Sequence, residues 1–268
     1  MSAQFCLQPT RGSSAPAILI LIFYAFSREV STLKRRMRNR APLEVKGLSG
    51  FRARLERDEA AFVATGIGMK RARAIARQAL AALPETQLVI ATGVAGALSG
   101  GLRPGDIVIA DRAIRARRDS SHPEQVLTVD GAIVDRCERA LHRAGLDSST
   151  GAILTSMRVL PNPQEKRAAK QNSGAIAVDM ESAAIAMEAT ARGIPFAIVR
   201  TVIDSLDDEI FGAEVADDEG RVKPLAAANY LVRNPGAFLK IPWMIRNLAL
   251  ATRALADAIE VLIKAELP

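Results

Sequence analysis

Val178-Asp179-Met180-Glu181-Ser182-Ala183-Ala184 is the stretch on which the fold of this chain turns. Ile176–Asp179 predicts a short buried strand. Glu181–Ala191 predicts a helix, closed by Gly193-Ile194-Pro195. A strand that passes straight into a helix is the joint of a βα unit, and its polar residues then sit at the carboxyl edge of the sheet, where open α/β sheets bind ligands. A carboxylate at that joint can accept hydrogen bonds from two neighbouring hydroxyls, as on a ribose. It can equally complement the positive end of a helix dipole. Both readings stand for Asp179 and Glu181.

Working outward, the same alternation recurs. Ala17–Tyr24, Ala61–Thr65, Gln87–Thr92, Asp106–Ala110, Ala152–Thr155 and Phe196–Ile203 read as buried strands. Arg28–Met37, Lys70–Leu83 and Ala132–Ala144 read as helices between them. With no internal repeat or low-complexity linker, the pattern predicts one α/β domain over residues 17–268, three layers α/β/α around a central mixed sheet. Residues 1–16 predict a flexible N-terminus and 205–247 a variable loop with an apolar stretch. Residues 248–265 predict a final helix, in which Leu248, Leu255, Ile259 and Leu262 share one face.

Composition narrows the classes. The chain has 268 residues, 49% of them hydrophobic, enough for a sizeable core. Lys plus Arg number 36 against 29 Asp plus Glu, a net charge of +7. The positive runs Lys34–Arg40 and Arg112–Arg118 lack any zinc spacing or aromatic RNA-binding signature, so they read as solvated surface and not as a nucleic-acid site. Cys6 and Cys137 form no framework, which favours a reducing, cytoplasmic setting, and His122 and His142 are too few for a metal cluster. Ala15–Phe26 looks like a signal-peptide core, but no small-residue cleavage site follows it, and it is too short to span a bilayer.

Polar residues at strand ends are the candidates for chemistry. Gly66-Ile67-Gly68 follows one strand and Gly93-Val94-Ala95-Gly96 another; Gly66, Gly68 and Gly93, with Val94 and Ala95, could bring the backbone close to a ligand or merely form tight turns. Asp204 ends the strand that contains Arg200. Partly desolvated there, it could have the raised pKa a general acid needs, or it could simply start a loop. Glu29, just past the first strand, reads as a base or as a surface residue.

Taken in order, Glu29, Thr-Gly-Ile-Gly, Thr-Gly-Val-Ala-Gly-Ala-Leu with Gly-Asp-Ile-Val, Val-Asp-Met-Glu-Ser-Ala-Ala, and Arg-x-x-x-Asp resemble the nucleoside phosphorylase and nucleosidase superfamily, across about Ile18 to Ser205. The resemblance implies cleavage of the N-glycosidic bond of a purine nucleoside, with no metal or organic cofactor and inorganic phosphate as a potential co-substrate. It implies that Glu181 holds the ribose 2′ and 3′ hydroxyls with Met180 packed on the sugar. Asp204 would then protonate or hydrogen-bond purine N7, Glu29 would activate water, and Val159 and Leu160 would line the base pocket. A homo-oligomer is expected on the same ground.

Two departures from the family pattern matter. Ile203 stands where a Ser often precedes the catalytic Asp, and Ala91 and Val94 replace the Arg and Ser that bind phosphate in many phosphorylases. The second departure leaves hydrolysis open. The tail, with Asp218-Glu-Gly-Arg221 and the Pro-flanked apolar stretch Pro235–Ile245, looks like the hopanoid-associated phosphorylases, which implies adenosylhopane as substrate and ribosylhopane plus adenine as products. The apolar residues of Arg233–Arg246, punctuated by Arg233, Lys240 and Arg246, read as a segment for peripheral membrane or lipid contact, or as one that packs in the core or a subunit interface. Competing substrates are methylthioadenosine, S-adenosylhomocysteine and ordinary purine nucleosides. The rival from another class is a non-catalytic nucleoside-binding protein.

Overall fold

The structure, a computed structural model, describes residues 18–37, 39–55, 58–117, 122–210 and 241–265. Its strands are β1 (Leu19–Tyr24), β2 (Arg40–Pro42), β3 (Gly50–Arg54), β4 (Glu59–Ala64), β5 (Thr86–Ala97), β6 (Ile107–Ala116), β7 (Pro123–Thr128), β8 (Ser148–Thr155), β9 (Ala177–Asp179) and β10 (Phe196–Asp204). The helices are α1 (Ser27–Arg36), α2 (Met69–Ala82), α3 (Gly131–Arg143), α4 (Pro163–Ser173), α5 (Ser182–Thr190) and α6 (Ile241–Leu262). All strands join one mixed sheet in the order β10-β6-β8-β9-β5-β1-β4-β3-β2, with β7 paired to β6. β10 also pairs with β5, so β10, β6, β8, β9 and β5 close into a ring from which the other strands extend as a wing.

β5 makes this topology possible. Its first half pairs with β1, its middle with β10, and its end, Gly96 and Ala97, with β9. The strand therefore runs on through the glycines that the sequence placed after its end, and Gly93-Val94-Ala95-Gly96 is strand, not turn. β1 is buried at all six residues, Leu19 to Tyr24, as a central parallel strand must be. The apolar run at the N-terminus is thus explained by the core, as far as its described residues go. α6 packs with α1 and α3, while α2 packs with α5, and these groups flank the sheet.

Most predicted elements are present with ends shifted by a few residues. β6 and β8 are longer than predicted, and β2, β3, β7 and α4 were not foreseen. The final helix starts at Ile241 instead of 248; its buried side chains run from Asn247 to Leu262, and the turns before Asn247 are mostly exposed. The expectations for residues 1–16, Asp218–Arg221 and Arg233–Lys240 lie outside the described residues. The basic runs behave as surface where described: Lys34, Arg35 and Arg36 close α1 at its negative end, and Arg36 pairs with Asp257 and Glu260.

Candidate active site

A cleft of about 650 Å³, open to solvent, lies at the carboxyl ends of β1, β5, β9 and β10. Glu29, Val94, Ala95 and Gly96 line it from the β1 and β5 side; Val178, Asp179, Met180 and Glu181 from the β9–α5 joint; and Ile203 and Asp204 from β10. Arg158, Val159, Leu160, Lys166 and Ile210, with Ala25, Phe26 and Ile67, complete it. Of the residues predicted to form a site, Gly66, Gly68 and Gly93 stand just behind the lining, and the others are all in it.

The glycines behind the lining make room for, or hold, the charged groups in front. Gly93 has φ +141°, and a β-carbon there would come within 2.4 Å of both Glu29 Oε1 and Arg200 Nη1. At Gly96 a β-carbon would lie 3.1 Å from Asp204 Oδ2. The Gly68 N–H donates to Glu181 Oε1 at 2.8 Å. In this protein, then, the glycines admit side chains of the protein itself.

Glu29 sits at the third position of α1, 1% exposed. Oε2 accepts from the Ala25 and Phe26 N–H groups at 2.7 and 3.1 Å, and Oε1 from the Val94 N–H at 2.9 Å. This is half of a capping box, since Phe26 offers no side-chain acceptor in return. Burial pushes the Glu29 carboxyl above the ordinary carboxylate range, against the opposing pull of Arg200 and the three N–H groups. A base with a raised pKa, fixed by backbone donors, suits proton abstraction near neutral pH.

The β9–α5 joint divides the labour between its two carboxylates. Asp179 faces inward: Oδ1 accepts from Thr155 Oγ1 at 2.7 Å, and Oδ2 accepts from the Ser182 N–H at 3.0 Å and pairs with Arg200 Nη2 at 2.6 Å. Arg200 also donates to Ser182 Oγ at 3.1 and 2.9 Å and to the Thr92 carbonyl at 3.0 Å. Asp179 therefore has the helix-capping role, and Glu181 is left for the cleft. Burial drives the Glu181 carboxyl up to about 7; Arg200, 3.9 Å away, holds it down, and Asp179 adds to the rise.

Asp204 owes its position to a bulge. β10 pairs with β5 through Val202–Ala95 and then Asp204–Gly96, with Ile203 as the extra residue. Consecutive strand residues ordinarily face opposite ways, but a bulge lets both Ile203 and Asp204 reach the cleft. Burial raises the Asp204 carboxyl above its usual range, while Lys166 opposes the rise. Lys166, on α4, is wholly buried and ion-paired to Asp204 Oδ2. Sequence reasoning passed over this lysine, and also Thr155 and Ser182. Among the described residues no cluster of metal-ligating side chains occurs, and no helix is long and apolar enough to cross a membrane.

Fold and site together define an α/β domain with buried carboxyl groups gathered at its strand ends. The chain belongs to the phosphorylase superfamily, whose model matches residues 19–230. It is 30% identical over 196 residues to a 5′-methylthioadenosine/S-adenosylhomocysteine nucleosidase of Haemophilus influenzae, covering 68% of this chain and 84% of that protein. A nucleosidase of the same description from Geobacillus thermodenitrificans is 30% identical over 201 residues, 70% of this chain and 84% of the relative. Among solved structures, a Helicobacter pylori 5′-methylthioadenosine/S-adenosylhomocysteine nucleosidase superposes with a TM-score of 0.71 at 16% identity, over 93% of this chain and 99% of that one. A futalosine hydrolase mutant from the same organism gives 0.70 at 15% identity, over 92% and 99%. At such identities the structural likeness is one of fold.

Proposed function

We propose that the protein cleaves the N-glycosidic bond of an adenine nucleoside, with water as nucleophile. The observation that carries this reading is the convergence of Glu29, Glu181 and Asp204 on one cleft from three separate elements. Kinship with the nucleosidases supports the reaction class. The base lies among Val159, Leu160, Val178, Ile203 and Ile210. The ribose rests on Met180, with its hydroxyls on Glu181, and Glu29 faces a water beside C1′.

In the step proposed, the water oxygen bonds to C1′ as the C1′–N9 bond breaks. The bonding pair leaves with the base, which takes a proton at N7 from Asp204. The water's proton passes to Glu29. The developing positive charge on the sugar is stabilised by the carboxylates around it.

Water is preferred to phosphate on electrostatic grounds. Of the two cations lining the cleft, Lys166 is paired with Asp204, and Arg158 with Glu165. Arg200, behind the lining, serves Asp179. A phosphate dianion would face the acidic side chains Glu29, Asp179, Glu181 and Asp204 with no uncommitted cation among the described lining residues.

A nucleoside panel with product analysis tests the proposal. 5′-Methylthioadenosine, S-adenosylhomocysteine, adenosine and 2′-deoxyadenosine should release adenine and free sugar at equal rates with and without phosphate. Strict phosphate dependence with a sugar 1-phosphate product would make it a phosphorylase, and tight binding without turnover would favour the binding-protein reading. A lipid-linked adenine nucleoside, adenosylhopane among them, is a second candidate substrate. It is supported by the exposed Ile241, Met244 and Ile245 in the first turns of α6, which share one face of the helix and suit peripheral contact with an anionic bilayer. These residues do not line the cleft. Co-sedimentation with anionic vesicles tests this, and a Met244→Ser, Ile245→Ser variant should stay in solution. A concentration-dependent dimer lost in the same variant would assign this face to a subunit interface.

A further inference from the structure

The mechanism above leaves the one buried lysine of the cleft without a role. Lys166 is completely buried, and a lysine in that state is rare unless each of its protons is matched. Here the matching is complete. Nζ meets Asp204 Oδ2, donates to the Ser205 carbonyl at 2.7 Å, and donates to the Asp208 carbonyl at 3.0 Å. An ammonium has three N–H donors, and all three have acceptors.

Those acceptors share one stretch of chain. Asp204 ends β10, and Ser205 to Asp208 is the turn after it, itself closed by Asp208 Oδ2 accepting from the Ser205 N–H at 2.7 Å. The Ile210 N–H then donates to the Pro161 carbonyl at 2.8 Å. Lys166 thus ties α4, which follows the Val159–Leu160 wall, to the end of β10 that carries the carboxyl. Asp204 Oδ1 has no hydrogen-bond partner among the described residues, and the residue lines the cleft. One carboxylate oxygen is fixed to the protein and the other is left to the substrate.

We infer that Lys166 is the positioning residue for Asp204, holding its carboxyl by one oxygen so that the other meets the leaving base, and fixing the turn that closes the base end of the cleft. It supplies the polar support that a hydroxyl at position 203 would otherwise give, from a different element and with a positive charge. The charge has a consequence for pH dependence. The groups facing Asp204 are Lys166 from α4 and Asp208 from the following turn, which pull in opposite directions. Arg158 and Glu165 pair with each other, and across the cleft Glu29, Asp179 and Glu181 face Arg200. Removing the ammonium leaves burial and Asp208 unopposed, so Asp204 would hold its proton to higher pH.

This inference rests on Asp204 acting on the leaving base, and the experiment separates the two. In Lys166→Met, kcat should fall on the order of 10²-fold, as a displaced catalytic group does. The alkaline limb of its pH profile should move up by about 1–3 pH units. Lys166→Arg, which keeps the charge, should leave the limb near the wild-type position. A purely structural lysine would lower the plateau and leave the limb in place, which would overturn the inference. In parallel, the Asp204 carboxyl is titrated by NMR with ¹³C-labelled aspartate, its signal assigned by loss in Asp204→Asn. Its midpoint should rise in Lys166→Met, and coincidence with wild type would equally overturn the inference. Should the wild-type protein release no adenine, the functional reading fails and the NMR titration alone decides the role of Lys166. If Lys166→Met does not fold, Lys166→Gln, still able to donate to the Ser205 or Asp208 carbonyl, takes its place in both measurements.

Discussion

Arg200 Nη2 lies 2.6 Å from Asp179 Oδ2, and both side chains are sealed from solvent, 1% and 0% exposed. The pair joins the middle of β10 to the β9–α5 joint and so fixes the backbone that presents Glu181. A buried ion pair adds little net stability, but loss of one partner leaves an uncompensated charge. Arg200→Met should therefore destabilise by about 3–5 kcal/mol. Arg200→Met with Asp179→Asn should recover part of that loss. Urea denaturation of both variants measures it; equal losses in the two would mean that Asp179 is satisfied by Thr155 and Ser182 without the cation.

Asp204→Asn should reduce kcat by ~10²–10⁴-fold, the usual effect of losing a positioned acid. The amide oxygen can still accept from Lys166, so the fold should persist, with a loss of stability because the buried ammonium loses its counter-charge. Near-normal release of adenine with an unchanged circular dichroism spectrum would remove Asp204 from the reaction.

Glu181→Gln has two expected effects. Turnover should fall more for ribosides than for 2′-deoxyribosides, by on the order of 1.5–3 kcal/mol, the value of a hydrogen bond to a charged group. Stability should move the other way. A carboxyl raised to about 7 by burial stabilises the fold fully below its ordinary pKa of 4.5, and that contribution is lost as pH rises through 7. Relative to wild type, Glu181→Gln should thus become more stable between pH 5 and pH 8. Melting temperatures at the two ends read this directly, and a gap that does not widen with pH would place the titration elsewhere.

What could be read from sequence was what local pattern encodes. Glu29, Glu181 and Asp204 stand out because each follows an apolar strand, and a polar residue at that point is carried to the sheet's carboxyl edge whatever the rest of the fold does. Asp179 and Glu181 could not be told apart, since their division depends on Arg200 arriving from a strand that is distant in sequence. Lys166 was invisible for the same reason. It sits in Gln164-Glu165-Lys166-Arg167, a polar run in which nothing local marks one residue for burial, and only the packing of α4 against the end of β10 buries it. The strands β2, β3 and β7 were missed because they are short, exposed or rich in arginine, and their pairing is set by the neighbouring strand more than by their own residues. The continuation of β5 past Gly93 was missed because glycine ordinarily weakens a strand; here the close approach of two side chains requires it.

That close approach yields the last prediction. Gly93 is where β5 leaves β1 and continues along β10, and the Glu29 and Arg200 side chains meet over its backbone. A methyl group in Gly93→Ala would lie 2.4 Å from a polar atom of each, and the backbone φ of +141° is one that L side chains rarely adopt. Neither neighbour can yield freely, and neither can be removed without leaving buried partners unsatisfied. Glu29 is held by three backbone N–H groups, and Arg200 by Asp179, Ser182 and the Thr92 carbonyl. The substitution should cost at least ~2 kcal/mol from overpacking and backbone strain together, and should also abolish turnover by displacing Glu29. Gly131→Ala is the control, because a β-carbon there meets nothing within 4 Å and the residue opens α3. It should leave stability and activity close to wild type. A Gly93→Ala protein as stable and as active as wild type would mean that Glu29 and Arg200 do not converge on this glycine.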